Sequence, residues 1–492
     1  MLVKVRAGLP LVVAVAAGLV VSGLAAPSAL ASTDCAFDAA AGTTADVQVF
    51  GLPRTATGAV EVRAHAGVPA QRIPGTAGTG FGTSLATAFV DSDHCADLAV
   101  GAPTAPGGGA VQVFLGAADG YATTPALTLR ASSAADRFGS DLALRERSTG
   151  GVDVWVGAPG RTVAGHARAG AVDHFLITAD GGARRLETIT AADARHGQVQ
   201  SSTGFGGVLA ASGEGLLVGV PGHDVGRKKD AGAAYWYPLD TSTGSTRGGT
   251  MWTQSSAKVP GSPEGGDHFG AAVAVSRAGS PRWVLVGVPD EDLGKKKDTG
   301  SVQTFALDPV QRALIPRSAV DETHADAATR NTAGDRFGAA VAVDDGTCLG
   351  GGWLVGAPGR NAGKKADSGA FFSVRVPGSS CTSVRYTQRD LSQHDEKGDR
   401  FGSAIALLGR PAPDLDPVPV SQTVLVGTPG EDSASGVSNS GSVTSWALAE
   451  QRDEDGRPAL APFYQFFSAS GAATRSLAFG SVLPDADTFV RH

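Results

Sequence analysis

FGAAVAVSRAGSPRWVLVGVPDEDLGKKKDTGSVQTFAL, residues 269–307, holds three apolar runs, AVAV, RWVLVGV and SVQTFAL, separated by clusters of Gly, Pro and Asp. A period of two belongs to strands that bury a face, and Gly, Pro and Asp mark the turns between them. The second run ends at Gly287-Val288-Pro289, where Pro has no ladder donor and sends the chain into a loop. The same order recurs on either side, as FGGVLAASGEGLLVGVPGHDVGRKKDAGAAYWY at 205–237 and FGAAVAVDDGTCLGGGWLVGAPGRNAGKKADSGAFFSVRV at 337–376. With a less regular fourth run before the next Phe, each unit reads as a four-stranded antiparallel sheet.

Phe-Gly stands in front of an apolar alternating run at Phe81, Phe138, Phe205, Phe269, Phe337, Phe401 and Phe479, at intervals of 57 to 78 residues. One supersecondary unit has been copied. Gly-X-Pro follows in six units, at Gly101, Gly157, Gly219, Gly287, Gly356 and Gly427. The loop after it closes on Asp-X-Gly, as at Asp230, Asp298 and Asp367. Units that cannot bury their own faces make one folding object, so the 492 residues are expected to form one repeat domain and not three globules. The 68 Gly and 27 Pro fit short strands and tight turns, and with aromatics at only 6% the repeated Phe is expected to anchor the packing.

The N-terminus, MLVKVRAGLPLVVAVAAGLVVSGLAAPSALAS, puts Lys4 and Arg6 before an apolar stretch that ends in Ala29-Leu30-Ala31. This is the form of a secretory leader, residues 1–31, cut after Ala31. A retained membrane anchor fits less well, because Pro10, Gly18 and Gly23 interrupt the stretch. Residues 32–492 are then a secreted, extracellular chain with no membrane span. The formal net charge of −7 becomes more negative when the leader's two cations go, which argues against nucleic acid as a partner. Four cysteines in an exported chain, Cys35, Cys95, Cys348 and Cys381, are expected to form disulfides, and their wide spacing argues against a metal cluster.

With Phe-Gly and Gly-X-Pro recurring together, the chain resembles the FG-GAP repeats of integrin alpha subunits and of many secreted bacterial proteins. The resemblance implies an all-β, seven-bladed β-propeller, and it covers nearly the whole mature chain. Phe479 lies too near the C-terminus to complete a blade. Residues 44–51, TADVQVFG, match the third-strand segment GGAVQVFLG of the first full unit, so the N-terminus is expected to complete the blade that Phe479 begins. Such closure hides two sheet edges; an open solenoid is the alternative. Within the implied propeller, Cys348 and Cys381 fall at one end of a single blade, leaving Cys35 and Cys95 to tie the N-terminal strand region to the next blade.

The resemblance also implies a place to look for calcium, in the first hairpin of a blade, through D-x-(D/N)-x-D-G-x-x-D. One unit approaches it, at Phe89-Val90-Asp91-Ser92-Asp93-His94-Cys95-Ala96-Asp97. Asp91, Asp93 and Asp97 are the candidate metal ligands, and calcium the candidate ion. Phe89 stands where the first ligand belongs and His94 where the usual Gly belongs, so a degenerate, disulfide-stiffened loop is the competing reading.

Two other constellations follow from the repeat. The loops after Gly-X-Pro in three consecutive units carry Arg227, Lys228 and Lys229, then Lys295, Lys296 and Lys297, then Lys364 and Lys365. On one face of adjacent blades these cations form a candidate site for an anionic glycan or other acidic polymer, against the plainer reading of solvated loops balanced by Asp224, Asp230, Asp290, Glu291, Asp292, Asp298 and Asp367. An Asp also precedes Phe-Gly by two residues at Asp136, Asp267, Asp335 and Asp399. It is read either as a carboxylate ring at the channel mouth or as a cap on its own turn, the latter being the usual role of Asp there.

Catalytic signatures are missing from the sequence. There is no G-x-S-x-G, H-E-x-x-H or phosphate loop, and the ten histidines do not fall at matching positions of the repeat. The favoured expectation is a non-enzymatic, adhesion-like monomeric scaffold that presents propeller loops to an extracellular protein or glycan. An extracellular hydrolase or lyase built on the same propeller is the alternative, and a ligand-free spacer a third.

Overall fold

The computed structural model describes residues 48–461, apart from 54, 56, 64–69, 92, 94, 118–119, 241–242, 277–281, 326–328, 344–351, 378–382, 392–393, 409–421, 433–440 and 453–457. These residues form seven main sheets over 85–130, 142–189, 208–252, 272–320, 340–386, 404–461 and 48–74, here called blades 1 to 7, with a small hairpin at 116–121 and a short strand, Ala194–Arg195, added in parallel to the outer edge of blade 3. Blade 4 is typical, its strands Ala272–Val275, Arg282–Val288, Ser301–Leu307 and Leu314–Val320 pairing in chain order. Among the described residues the α-helical content is one turn, Glu322–Ala325, and no helix is long and apolar enough to cross a membrane.

First strands of successive blades touch, from Leu85–Ala88 through Leu142–Glu146, Val208–Ala211, Ala272–Val275 and Ala340–Val343 to Ala404–Leu408. The fold is a seven-bladed β-propeller of mostly four-stranded blades. Stacking blade on blade covers both faces of the second strands. Val152–Ala158, Gly215–Val220 and Gly352–Ala357 are buried along their whole length, which is why they read as continuous apolar runs. Fourth strands lie outermost, and Ala183–Ile189 is largely exposed.

Blade 7 corrects one sequence expectation. Gln48–Gly51 is the second strand of its blade, not the third. Its partner Ala59–Arg63 pairs Val60 with Gly51, as Val111 pairs with Gly101 in blade 1. Gly51-Leu52-Pro53 is therefore a seventh Gly-X-Pro, and the third strand is Ala59–Arg63. Among the described residues this sheet has three strands, the second to the fourth. Phe479, expected to begin this blade, lies outside the described residues, as do residues 1–47, Cys35, Cys348 and Cys381.

The Phe-Gly pair joins each blade to the one before it. Phe269 N–H donates to Ala231 O at 3.0 Å, across the gap to blade 3, and Phe337 N–H donates to Thr299 O at 3.0 Å, across the gap to blade 4. The following Gly turns back, with Gly270 N–H donating to Gly287 O of its own blade at 2.9 Å. All six described Phe rings of these pairs are at most 1% exposed. Phe205 meets Tyr235 edge-on at 5.3 Å and Phe337 meets Phe372 edge-on at 5.3 Å.

Close backbone approach sets the residue type on both sides of this joint. Gly338, at φ +96°, lays its carbonyl oxygen against the Cα of Gly287 in the preceding blade, where a methyl group would fall inside contact distance of that oxygen. We expect Gly287→Ala to destabilise the propeller by about 3 kcal/mol. Gly294→Ala, in an open loop with nothing within 4 Å, meets only its φ of +68° and should cost about 1 kcal/mol. Denaturant midpoints of the two variants check the difference, and equal losses would contradict the packing role.

Candidate functional site

The loops between second and third strands share one geometry in four blades. Antiparallel bridges at Val163–His166, Val225–Lys228, Leu293–Lys296 and Ala362–Lys365 pinch each into the same hairpin. At its root Asp224 Oδ1 accepts the N–H of Asp230 at 3.0 Å, Asp292 Oδ1 that of Asp298 at 3.1 Å, and Asn361 Oδ1 that of Asp367 at 2.9 Å. Asp230, Asp298 and Asp367 are left-handed, with φ of 51° to 52°, a conformation that a short polar side chain tolerates. These bonds hold the tips outward.

All eight sequence-identified cations of these loops are exposed. Lys229 pairs with Asp224 and Lys297 with Asp292 in the same loop, while Lys296 Nζ donates to Asn331 O at 2.7 Å. Such exposed pairs contribute little to stability. Arg227, Lys228, Lys295, Lys364 and Lys365 point to solvent.

Each of these loops also joins the turn that leads into the next blade. Gly266 N–H donates to Lys229 O, Gly334 N–H to Lys297 O and Gly398 N–H to Ala366 O, all at 2.9 Å. Loops and turns thus form one rim. The capping Asp of each turn is buried and bonded to its own backbone, since Asp267 accepts Glu264 N–H at 2.5 Å, Asp335 accepts Thr332 N–H at 2.7 Å and Asp136 accepts Ser133 N–H at 3.1 Å. These carboxylates cap their own turns. The residue after each is left-handed, with φ of 54° to 57° at Arg137, His268, Arg336 and Arg400, and the three arginines are exposed. A groove of about 440 Å³ opens between Arg336 and Arg400, with Asp298 and Asp367 on its walls. A second, of about 280 Å³, holds Arg360, Arg385 and Arg389.

In the blade 1 hairpin the candidate metal ligands serve the loop's own backbone. Asp97 accepts Val90 N–H at 2.6 Å and Gly116 N–H at 2.8 Å, Asp91 accepts Asp93 N–H at 3.0 Å, and Asp93 accepts Cys95 N–H at 2.8 Å. Burial pushes the Asp97 carboxyl up to about 7. Cys95 is itself buried.

A position missed in the sequence is the second residue after the Pro of Gly-X-Pro. Its carbonyl accepts the N–H of the loop-closing Gly in five blades, at Arg161, His223, Glu291, Arg360 and Glu431, over 2.8–3.1 Å. Its side chain turns inward beneath the rim. Arg161 reaches Asp136 at 2.6 Å and Asp173 at 2.8 Å, and Arg360 pairs with Glu322 and lies 3.6 Å from Asp335. In blades 4 and 6 this residue is a glutamate instead. Burial pushes Glu291 up to about 7 and Asp267 to about 6, and likewise Glu431 to about 8 and Asp399 to about 6. No motif announced this position, because its partners come from other segments of the chain.

For catalysis, the conspicuous His–carboxylate set is His174, 2.9 Å from Asp153 and 3.0 Å from Glu187. Arg145 and Arg147 also pair with Asp153, and His174 and Asp153 are fully buried. With no exposure, the ring tethers strands within blade 2 and meets no substrate.

An FG-GAP repeat family model matches residues 81–114. That segment runs from the first Phe-Gly through Gly101-Ala102-Pro103 into the third strand, and the structure repeats it around the ring. The chain is an FG-GAP β-propeller protein. No curated protein matches it.

The glutamate position of this FG-GAP propeller sets a pH dependence. A carboxyl whose folded pKa lies above its unfolded value stabilises the fold in acid and loses that contribution as pH rises through the folded pKa. In chelator-treated buffer, wild type should therefore lose on the order of 2 kcal/mol relative to Glu291→Gln between pH 5 and pH 8. Denaturant melts of both proteins across that range check it; parallel profiles would contradict it.

Proposed function

We propose that this FG-GAP propeller is a secreted, non-enzymatic recognition scaffold whose loop rim binds an anionic extracellular polymer, such as an acidic glycan. One observation carries the reading: the basic loops of blades 3, 4 and 5 share a rim with Arg336 and Arg400, which flank an open groove on a chain of net charge −7. A local basic field on an acidic molecule steers a polyanion to one place. The hairpins are held from within by Asp224, Asp292 and Asn361, so little ordering is needed when a ligand arrives.

Under this reading residues 1–31 are the export leader and 32–492 the monomeric propeller, with Cys35–Cys95 and Cys348–Cys381 as its disulfides. The burial of Cys95 beside the first hairpin is in keeping with a covalent tie there. The hydrolase alternative draws less support. The capping carboxylates are buried beneath the rim, and the His174 set is closed to solvent.

Retention on a sulfated-polysaccharide column, eluted with rising salt, tests the reading. Wild type should elute later than a variant with Arg227, Lys228, Lys295, Lys364 and Lys365 changed to Gln, and the gap should shrink as salt rises. Equal elution would remove the rim as the binding surface.

A further inference from the structure

Blades 2, 4, 5 and 6 each bury a capping Asp against the second residue after the Pro of Gly-X-Pro, and they solve the resulting charge problem in two ways. In blades 2 and 5 that residue is Arg161 or Arg360, and the place three residues before the capping Asp is Ser133 or Thr332. In blades 4 and 6 it is Glu291 or Glu431, and the place three before the Asp is also acidic, Glu264 or Glu396. Acid thus accumulates where the guanidinium is missing. Unpaired buried carboxylates are costly, and neutralising the capping Asp alone would call for fewer acids there, not more.

The blade 4 group has the dimensions of an ion site. One oxygen from each of Glu264, Asp267 and Glu291 lies within 4.8 Å of the others. Oxygens about 2.4 Å from a central calcium are at most about 4.8 Å apart. A second feature points inward at the same spot. Gln254, 4% exposed, brings its amide head to Glu291, with Nε2 2.5 Å from Oε2, while its Oε1 is buried without a partner. Blade 6 repeats this, with Gln388 Nε2 2.5 Å from Glu431 Oε2 and Gln388 Oε1 again buried and unpartnered. Blade 5, which has its arginine, carries Glu322 in place of the glutamine.

We propose that Gln254, Glu264, Asp267 and Glu291 bind a divalent cation, calcium in view of the all-oxygen donor set, which stands in blade 4 where the guanidinium of Arg360 stands in blade 5. The site lies beneath the loop rim, not in the blade 1 hairpin of Asp91, Asp93 and Asp97. It fastens the Glu291 loop to the turn entering its own blade and to the end of blade 3, so it is a structural clamp with three carboxylates as ligands and, with the Gln254 amide turned to present Oε1 in place of Nε2, one amide oxygen. The remaining coordination falls to water.

The test uses the full chain stripped with chelator, then titrated with calcium, magnesium or manganese, each alone, by isothermal titration calorimetry and thermal melting. Wild type should bind calcium and gain about 3 °C in melting midpoint at a hundred-fold excess over Kd. Glu291→Arg, which copies blade 5, should lose that binding event while melting no lower than the stripped wild type. Glu291→Gln should weaken calcium binding at least tenfold, and it serves if the arginine variant fails to fold. Absence of binding by wild type overturns the proposal. So does calcium binding that survives both Glu291 variants and is lost instead in Asp93→Asn. A preference for manganese or magnesium over calcium overturns the assignment of the ion.

Discussion

The contact between the Phe-Gly pair of one blade and the Gly-X-Pro glycine of the blade before is the constraint on which this propeller depends. It is a backbone contact, made where neither side has a Cβ. The carbonyl of Gly338 rests on Gly287, that of Gly270 on Gly219 and that of Gly402 on Gly356. With the backbones this close, the Phe ring is carried into the core between blades, where Phe138, Phe205, Phe269, Phe337 and Phe401 are fully buried. Burying such a ring contributes on the order of 2–3 kcal/mol. Repeated around the ring, a small local fit becomes the main lateral cohesion of a chain whose adjacent blades are paired by single parallel bridges, as Gly232 with Phe269 and Gly300 with Phe337.

The joint also places chemistry. Because Phe-Gly is fixed, the turn before it is fixed, and because Gly-X-Pro is fixed, the loop after it leaves at a set angle. These two segments make the rim. Outward positions vary with little consequence for the fold, and there the chain places Lys228, Lys295 and Lys364. Inward positions must settle the charge of the buried capping Asp, and there the blades alternate between arginine and glutamate. In blade 3 the capping place is Thr203 and the inward residue His223, whose pKa burial lowers. Without an acid to neutralise, no cation is needed.

Much of the fold was legible because its strongest constraints are steric and local. A glycine that admits a carbonyl, a Pro that ends a strand and a Phe that fills a gap must recur at each copy, so they show in the sequence. Gly51-Leu52-Pro53 escaped notice because no Phe-Gly with an apolar alternating run stands upstream of it, as one does for each of the other six. The site was less legible. The lysine loops were visible as charge runs, but Arg336 and Arg400 gain meaning only once a groove forms between them. Glu291, Glu264 and Gln254 belong to three segments that meet only when blade 4 stacks on blade 3. Proximity across a blade boundary leaves no period in the sequence.

Hydrogen exchange at single-residue resolution tests the central claim most directly. The amides of Phe138, Phe205, Phe269 and Phe337, which bond across blade boundaries over 2.8–3.0 Å, should exchange only through global unfolding, at the slow rates of the buried second strands. If these amides exchange as fast as the exposed loop tips while the strands stay protected, the blades are cohesive without the Phe-Gly joint, and the account given for this propeller is wrong.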